Sequence, residues 1–478
     1  MKKETKKNPE LAKCPTGIRG LDEITHGGLP RGRPTLICGS AGCGKTLLAM
    51  EFIVRGAREF NEPGVFMAFE ETEKELADNV ASLGFDLAGL VRKKKIALDH
   101  VHIERSEIEE TGEYDLEGLF VRLGNAIDEI GAKRVALDSL EALFSGLPNE
   151  AVLRAELRRL FRWLKDKGVT VVITGEQGDG TLSRHGLEEY ISDCVIFLDH
   201  RVINQVGTRR LRIIKYRGSA HGTNEYPTMI DEGGLSVLPI SSLGLDYGVT
   251  KERISTGVTQ LDAMMGGKGY FKGSSVLVSG TAGTGKSSLA AAFVDAACRR
   301  DERCLYMSFE ESQTQIIRNM ASIGFKLSPW VDKQLLQFHN VRTSLFGLEQ
   351  HLVSIHKLVE KYRPAAVVID PVTNLTCIGD NAAITAMLTR VIDYLKMQGV
   401  TAIFTSLTGG GTADERTDVG ISSLMDTWIL LRNQEHAGDR ERLLYILKSR
   451  GMAHSSQVRR FMLSDKGIAV MDAKGERP

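Results

Sequence analysis

Two short stretches of the sequence have the residue types and spacing of a phosphate-binding loop. "GSAGCGKT" (Gly39–Thr46) and "GTAGTGKS" (Gly280–Ser287) both fit the pattern G-x-x-x-x-G-K-[ST]. In such a loop, glycines let backbone N–H groups approach the phosphates, the lysine reaches the β- and γ-phosphates, and the final hydroxyl can bind Mg²⁺. The residues that we expect to line the two nucleotides are Gly39, Ser40, Ala41, Gly42, Cys43, Gly44, Lys45 and Thr46, and Gly280, Thr281, Ala282, Gly283, Thr284, Gly285, Lys286 and Ser287.

Each half of the sequence also has a carboxylate at the end of an apolar run. Asp138 follows "RVAL", and Asp370 follows "VVI". Beside a phosphate loop this is the Walker B position, where the carboxylate orients Mg²⁺ through a bound water. An ordinary helix cap at a strand end is the alternative. We expect Mg²⁺ to be held by Thr46 and Asp138 in the first half, and by Ser287, Glu310 and Asp370 in the second.

A pair of adjacent glutamates ends another apolar run in each half. Glu70 and Glu71 follow "VFMAF", and Glu310 and Glu311 follow "LYMSF". Carboxylates at a strand end can polarise an attacking water or hydroxyl during phosphoryl transfer. A double glutamate alone is more often the solvated start of a helix. Its recurrence in both halves favours the catalytic interpretation.

The sequence segments that must position these residues occur twice along the chain. "VFMAFEETEKEL" (Val65–Leu76) matches "LYMSFEESQTQI" (Leu305–Ile316), and "IIKYRGSAH" (Ile213–His221) matches "YILKSRGMAH" (Tyr445–His454). The phosphate loops are 241 residues apart, the double glutamates 240, the strand-end aspartates 232, and the lysines of the last pair 233. One duplicated unit with small insertions and deletions explains these offsets.

The duplication predicts two tandem domains of one α/β fold. β-branched runs such as "TLICGS" and "VLVSG" enter the loops, and amphipathic runs such as "TLLAMEFIVRGAREF" leave them. Strands that are apolar on both faces, joined by helices, indicate a mainly parallel sheet flanked by helices. We predict a P-loop domain at 1–247 and another at 248–478, with the seam in "SSLGLDYGVTKER" (Ser241–Arg253).

Composition narrows the classes of function. The 478 residues include 61 Lys+Arg and 61 Asp+Glu, so the formal net charge is zero, which argues against a protein that coats nucleic acid. The sequence has no apolar run long enough for a membrane span, and its basic start has no apolar stretch of a secretory signal. Seven scattered cysteines without a C-x-x-C pair favour a reducing cytoplasm.

The last repeated motif is K-x-R-G, with Lys215 and Arg217 in the first half and Lys448 and Arg450 in the second. These cations are too far along the chain to be assigned to their own loop by spacing. A solvated strand edge is one interpretation. The other is a pair of charges donated to the γ-phosphate of a neighbouring subunit's nucleotide, which a symmetric ring would repeat at each interface.

These motifs together resemble the KaiC family of circadian-clock ATPases. The likeness covers about residues 15–470, including "PTGIRGLDEITHGGLPRG", both loops, "FEET", "SFEES", "KYRG", "KSRG" and "FMLSDKG". The resemblance implies two RecA-like domains, six chains stacked as a double ring, and ATP with Mg²⁺ between neighbouring subunits. It further implies that the first domain is a slow ATPase and the second a serine/threonine autokinase.

The resemblance also assigns roles to residues. It implies that Glu70 and Glu310 are catalytic, with Glu71 and Glu311 in support. The residues that it implies at nucleotides are Ser82, Lys215, Tyr216, Arg217, Ser219, His221, Arg442, Lys448, Ser449 and Arg450, with Arg209 nearby.

The paired phosphorylation sites of the family precede a "DT" strand in the second domain. In "GISSLMDTWILL" these positions are Ser422 and Ser423, and "LEEYISDCVIFL" of the first domain has no such pair. Clock members of the family continue into a long tail that KaiA grips, whereas this sequence ends at Pro478, so stimulation by KaiA is not expected. The resemblance leaves open a KaiB-like partner at the first ring.

Two alternatives remain at this stage. A RecA-like DNA-dependent motor has the same fold, and fold does not decide function. The zero net charge and the lack of a stretch that interleaves aromatic and basic residues argue against it, since "RKKK" (Arg92–Lys95) is the only dense basic run. The other alternative is a scaffold that binds ATP only to assemble, which the presence of both glutamate pairs opposes.

Overall fold

The computed structural model describes residues 11–101, 117–139, 141, 150–178, 180–183, 192–203, 206–239, 248, 250–408, 420–436 and 439–472. Two compact units divide the chain. The first consists of residues 1–203 and 207–242, and the second of 204–206 and 243–478. The predicted boundary at 247/248 lies beside residues 240–247, which are outside the described residues.

The first unit is built on one sheet of nine strands, as far as the described residues show. A small antiparallel pair, β1 (Lys13–Cys14) and β2 (Leu29–Pro30), precedes it. The sheet consists of β3 (Pro34–Gly39), β4 (Gly64–Ala68), β5 (Ile96–His100), β6 (Arg134–Asp138), β7 (Thr170–Glu176), β8 (Cys194–Ile203), β9 (Val206–Tyr216), β10 (Glu225–Asp231) and β11 (Gly234–Val237). Its order is β11-β10-β9-β8-β3-β7-β6-β4-β5, and the six strands from β8 to β5 run parallel.

The helices of the first unit follow the strands that they cover. They are α1 (Leu21–Ile24), α2 (Lys45–Glu59), α3 (Glu73–Ala81), α4 (Leu87–Arg92), α5 (Glu117–Ile130) and α6 (Glu150–Asp166). Alternate residues of β4 pack on opposite sides of the sheet. Phe66 joins a core with Phe52 of α2, whereas Val65 joins a core with Leu123 of α5 and Phe161 of α6. Both faces of the sheet are therefore covered, which explains the continuous apolar strands.

The second unit repeats this plan. After the pair β12 (Arg253–Ile254) and β13 (Tyr270–Phe271), its strands are β14 (Ser275–Gly280), β15 (Cys304–Ser308), β16 (Leu336–Asn340), β17 (Ala366–Asp370), β18 (Thr401–Leu407), β19 (Thr427–His436), β20 (Asp439–Ser449), β21 (Arg459–Ser464) and β22 (Gly467–Asp472). In the described part of this unit they form a nine-stranded sheet in the order β16-β15-β17-β18-β14-β19-β20-β21-β22. Read from its β22 edge, this order is the same as that of the first sheet, with each strand replaced by its counterpart.

The helices of the second unit also correspond to those of the first. They are α7 (Thr259–Met264), α8 (Lys286–Arg299), α9 (Gln313–Ala321), α10 (Ser328–Asp332), α11 (Leu348–Tyr362) and α12 (Asn381–Met397). Short 3₁₀ turns lie at Thr343–Leu345, Val372–Cys377 and Ile421–Ser423. The structure thus confirms the predicted fold, two tandem α/β domains that each have a mainly parallel sheet flanked by helices. None of the helices in the described part of the chain combines the length and the apolar character that a membrane span needs.

The double glutamates precede helices rather than start them. Helix α3 begins with a capping box in which Thr72 and Glu75 satisfy each other's backbone N–H groups, and α9 begins with the same box made by Ser312 and Gln315. Each capping box fixes where its helix starts, two residues after the glutamates. The glutamates therefore lie in the turn between a strand end and a helix, close to the sheet edge at which the phosphate loops also lie.

One buried pair distinguishes the two cores. Arg134 of β6 is fully buried, donates to the carbonyl oxygens of Phe52 and Pro15, and forms an ion pair with Glu62 at 2.7 Å. A Cβ added at Gly56 of α2 would lie 2.4 Å from the Arg134 side chain, so the arginine requires a glycine there.

In the second unit Arg134 and the Gly56 beside it are both replaced by alanine. Ala366 and Ala297 occupy the corresponding positions, and both are buried. The pair has therefore changed as a unit.

Candidate nucleotide sites

Each phosphate loop connects the end of a central strand to the first turn of a helix. Strand β3 ends at Gly39 and α2 begins at Lys45, and β14 ends at Gly280 and α8 begins at Lys286. The residues before the two lysines are Gly44 and Gly285. Both have a left-handed backbone conformation, with φ of 105° and 100° respectively. No described side chain caps either helix start. The first-turn N–H groups therefore fit an anion.

Both loop lysines lie against the carbonyl oxygens of their own loop. Lys45 Nζ donates to Gly39 at 2.8 Å and to Ser40 at 3.0 Å. Lys286 Nζ donates to Gly280 at 2.9 Å and to Thr281 at 2.8 Å. Burial lowers the pKa of Lys286 to about 8, and the charges of Asp370 and Glu310 oppose that shift. A cavity of about 330 Å³ adjoins the first loop.

The two strand-end aspartates are more than nine-tenths buried, and each meets a neighbouring strand's threonine. Thr174 of β7 donates to Asp138, and Thr405 of β18 donates to Asp370. Burial raises the pKa of Asp138, and the hydroxyls of Thr174 and Thr46 oppose that shift.

The donor set of each site suits Mg²⁺. No cluster of three or more His, Cys, Asp or Glu side chains occurs within the described residues. A hydroxyl beside a buried carboxylate is what Mg²⁺ requires when phosphate oxygens and waters complete its octahedral shell. Thr46 with Asp138 provides that pair in one site. Ser287 and Asp370 provide it in the other.

Hydrogen bonds fix the double glutamate of the first site through its side chains. Ser139 Oγ donates to Glu70 at 2.7 Å, and Asn79 donates to Glu71 at 3.2 Å. Burial raises the pKa of Glu71, and the charge of Asp138 adds to that shift. Glu70 is exposed, so its carboxylate can meet a ligand at the loop.

The double glutamate of the second site is fixed mainly through its backbone. Ser308 Oγ accepts from the Glu311 N–H at 3.1 Å, and the side chain of Asn340 donates to the Glu311 carbonyl at 2.7 Å. Asn319 donates to the Glu311 carboxylate at 3.0 Å. Burial raises the pKa of Glu311, with the Asp370 charge adding to it. Glu310 is exposed.

The K-x-R-G motif of the second unit contacts the candidate phosphorylation sites of the same chain. Lys448 Nζ donates to the Ser422 carbonyl at 2.9 Å, and Arg450 donates to the Ser423 carbonyl at 2.6 Å. Burial lowers the pKa of Lys448, as does the charge of Arg450. Ser423 is exposed and Ser422 is half-buried, and both lie in the 3₁₀ turn before β19.

Arg442 lies elsewhere on β20. Its Nε donates to the Gly283 carbonyl at 3.2 Å, so it lies against the phosphate loop of its own chain. Arg209 occupies the corresponding position of β9. Its charge opposes the rise that burial causes in the pKa of the Cys43 thiol, which lies in the phosphate loop of the same unit. Strand β20 thus joins the loop, through Arg442, to the K-x-R-G segment.

The corresponding segment of the first unit makes different contacts. Lys215 is half-buried, and Arg217 forms an ion pair with Asp193 at 3.8 Å. Tyr216 is buried and donates to the Gly28 carbonyl at 2.8 Å. The structure thus places the Tyr216 side chain in the core, with Lys13 Nζ 3.8 Å from the centre of its ring.

The other residues that the resemblance implies at nucleotides lie in three places. Ser219 and His221 lie in the turn after β9, where Ser219 accepts from Lys13 at 2.7 Å. Ser82 is exposed at the C-terminal end of α3. Ser449 is buried and shares a hydrogen bond with Thr427 at 3.0 Å, so its side chain is part of the sheet.

Sequence reasoning missed the hydroxyls that orient the carboxylates. Thr174 and Thr405 are the last residues of the matched runs "VTVVIT" and "VTAIFT". A threonine at the same place in both halves could have indicated that these hydroxyls belong to the sites. Ser139 follows Asp138 directly, but Pro371 takes its place in the second unit, so the repeat gave no signal for it. Tyr306, which donates to Asp370 at 2.6 Å, was hidden for the same reason, because its counterpart is Phe66.

Comparison with known proteins assigns both sites to one family. The family model described as the ATPase KaiC matches residues 14–242 and again 254–475. The chain belongs to the KaiC family. Both halves are therefore KaiC-family ATPase domains, which implies nucleotide binding, and the tandem α/β domains described above are RecA-like.

Individual KaiC proteins match almost the whole chain. It is 59% identical to the circadian clock protein KaiC2 of Synechocystis sp. over 465 residues, which cover 97% of this chain and 82% of the relative. It is 37% identical to the circadian clock oscillator protein KaiC of Synechococcus elongatus over 466 residues, 97% of this chain and 90% of the relative. The KaiC of Prochlorococcus marinus is 36% identical over 472 residues, 97% of this chain and 93% of the relative.

Proposed function

We propose that this protein is an ATP-hydrolysing serine autokinase of KaiC type, which assembles as a hexameric double ring and acts as a clock-like or signalling regulator. One observation carries the kinase part. Lys448 and Arg450 donate hydrogen bonds to the backbone of Ser422 and Ser423. Cations suited to a γ-phosphate and two candidate acceptor hydroxyls are therefore presented together.

ATP and Mg²⁺ are part of this proposal at both sites. The uncapped helix starts and Lys45 or Lys286 fit the phosphates, and the hydroxyl–aspartate pairs fit the cation. When bound, Mg²⁺ neutralises charge that develops on the phosphates. The chain's own residues hold and orient the reactants around it.

In the first site we assign Glu70 to orient the attacking water and to accept its proton. Ser139 holds the Glu70 carboxylate in one position, as a general base requires. No candidate acceptor pair corresponds to Ser422 and Ser423 in the first half of the sequence. Water is therefore the acceptor there, and the product is ADP with phosphate.

In the second site we assign Glu310 to accept the proton of a serine hydroxyl. The Ser422 or Ser423 oxygen then forms a bond to the γ-phosphorus, the bond to the β-phosphate oxygen breaks, and ADP leaves. Lys448 and Arg450 lie with the serines, whereas the loop of the same chain is contacted by Arg442. This arrangement favours transfer to a serine of the neighbouring subunit, and a closed ring supplies that neighbour at every site.

The DNA-motor alternative gains no support from the geometry of its basic run. Helix α4 ends at Arg92, and Lys93 is the residue after its last turn. Lys94 forms an ion pair with Glu129 at 3.3 Å, and both side chains are mostly exposed. The run therefore lies at the end of a solvated helix.

Incubation of the purified full chain with Mg·ATP tests the proposal. Mass spectrometry of peptides that contain residues 421–427 should show phosphate on Ser422 or Ser423, and Glu310→Gln should abolish it. The matched first-site variant Glu70→Gln should retain it. Phosphate release without any phosphoserine would contradict the autokinase and leave a tandem ATPase.

A mixing experiment tests transfer between subunits. One chain, the donor, carries Ser422→Ala and Ser423→Ala but an intact Glu310. The other chain, the acceptor, carries Glu310→Gln but intact serines. Phosphate should appear on the acceptor chain only in the mixture. Its absence from mixed rings, with the ring itself confirmed by native mass spectrometry with ATP, would show that transfer occurs within one chain.

A further inference from the structure

A tyrosine hydroxyl lies against a candidate metal ligand of the second site. Tyr306 of β15 is fully buried, and its hydroxyl is 2.6 Å from Asp370 Oδ2. A carboxylate only accepts, so Tyr306 donates to Asp370.

The first site has no counterpart to this hydroxyl. Phe66 occupies the position of Tyr306 on β4, and it too is fully buried. There Asp138 accepts a hydrogen bond from Thr174, as Asp370 does from Thr405. The second aspartate therefore has a buried tyrosine hydroxyl against it where the first site has a phenyl ring.

The surroundings keep the tyrosine in this position. Its ring packs against Phe338 of the adjacent strand β16, with 5.4 Å between ring centroids. Thr405 donates to the other oxygen of Asp370, so both carboxylate oxygens are held by hydroxyl groups.

From this geometry we propose that Tyr306 is a positioning residue for the divalent cation of the second site, acting by orienting the Asp370 carboxylate. Partners behind metal ligands commonly change metal affinity by 10- to 100-fold when they are removed. The proposal rests on the nucleotide-binding function proposed for that site.

The test measures how the full chain binds Mn²⁺ in the presence of ADP. The readout is the electron paramagnetic resonance signal of the Mn²⁺ that stays free. Wild type should show two Mn·ADP sites per chain. Tyr306→Phe, which installs the first site's residue, should weaken one of the two by about tenfold and leave the other unchanged. The reciprocal Phe66→Tyr is the matched control, and it should leave the second site unchanged.

A double-mutant cycle distinguishes this role from a merely structural one. Asp370→Ala and Tyr306→Phe should be non-additive, since each breaks the same hydrogen bond, whereas Asp138→Ala and Tyr306→Phe should be additive. Unchanged Mn²⁺ affinity in Tyr306→Phe, or full additivity with Asp370→Ala, would overturn the proposal. If wild type bound Mn·ADP at one site only, and Ser287→Ala left that site unchanged, the nucleotide function of the second site would itself be wrong.

Discussion

The two nucleotide sites have the same charged residues on the same scaffold but differ in the neutral groups that hold them. In the first site a serine, Ser139, donates to the exposed glutamate Glu70. In the second site proline occupies the serine's position, and a tyrosine, Tyr306, donates instead to the buried aspartate Asp370. Duplication has thus preserved the charges required for phosphate chemistry, while the hydroxyls that orient them have moved from one carboxylate to another.

The backbone around the glutamates differs in the same way. Ser308 and Asn340 bind the main chain of Glu311 in the second site, where the first site has Ala68 and His100. The first site therefore fixes the side chain of its proposed base. The second fixes the turn that carries the base, which suits an acceptor that arrives on another protein segment.

The largest effect that separates the sites is expected from Glu70→Gln. Loss of a general base costs about 10²- to 10⁴-fold in rate, so phosphate release from Mg·ATP should fall by at least about 100-fold. Serine phosphorylation at 422–423 should persist. Phosphate release measured with a coupled assay, beside phosphopeptide analysis of the same sample, tests this. Equal loss of both activities would show that the two sites are not independent.

A large stability difference is expected between the two cores. Arg134→Ala leaves Glu62 without its buried partner and should destabilise the first unit by about 3 kcal/mol. Adding Gly56→Ala should recover about 1 kcal/mol, because the double variant recreates the alanine pair of the second unit. Gly56→Ala alone should be destabilising, since its Cβ would clash with Arg134. Hydrogen exchange of first-unit peptides, measured by mass spectrometry, compares the three variants.

The second site should also lose nucleotide affinity in mild alkali. The pKa of Lys286 is lowered to about 8, so the lysine is charged below pH 8 and loses its proton above it. ATP phosphates bind the charged form, and affinity should therefore be full near pH 7 and about tenfold weaker near pH 9. Azido-ATP labelling mapped to each half reports the second site separately. An unchanged second-site affinity across this range would contradict the assignment of Lys286 to the phosphates.

The smallest effect concerns the serine that holds Glu70. Ser139→Ala removes one hydrogen bond, worth about 1 kcal/mol, so first-site hydrolysis should slow by about fivefold. Ser308→Ala is the matched control in the second unit and should leave that hydrolysis unchanged. A loss as large as that of Glu70→Gln would mean that Ser139 contacts the reacting groups itself.

The sequence was sufficient for the scaffold because repetition exposed it. Both loops, both strand-end aspartates and both glutamate pairs occur twice at nearly constant offsets, and each pair lies at the corresponding place in its unit. Gly44 and Gly285 adopt the left-handed conformation that the loop motif requires. The loop motif and the comparison of the two halves of the sequence were therefore enough to predict the fold and the charged residues.

The residues that differ between the halves could not be found in this way. Tyr306 and Phe66 are both large residues in a buried strand, and only the tertiary structure shows that one of them reaches a carboxylate. The contact of Lys448 with the Ser422 backbone joins segments 26 residues apart across a strand pair. No periodicity in the sequence encodes such a contact.

Strand β20 has a consequence for how subunits communicate. Arg442 near one end touches the loop of its own chain, and Lys448, six residues along, touches the serine turn. These points are about 20 Å apart on an extended strand, which pairs with β19 and, at Leu443 and Leu444, with β21. In the proposed ring, one end of each such strand adjoins its own nucleotide and the other adjoins the next subunit's. The backbone of β20 would then connect successive sites, so that phosphoryl transfer at one site would affect the site of the neighbouring subunit.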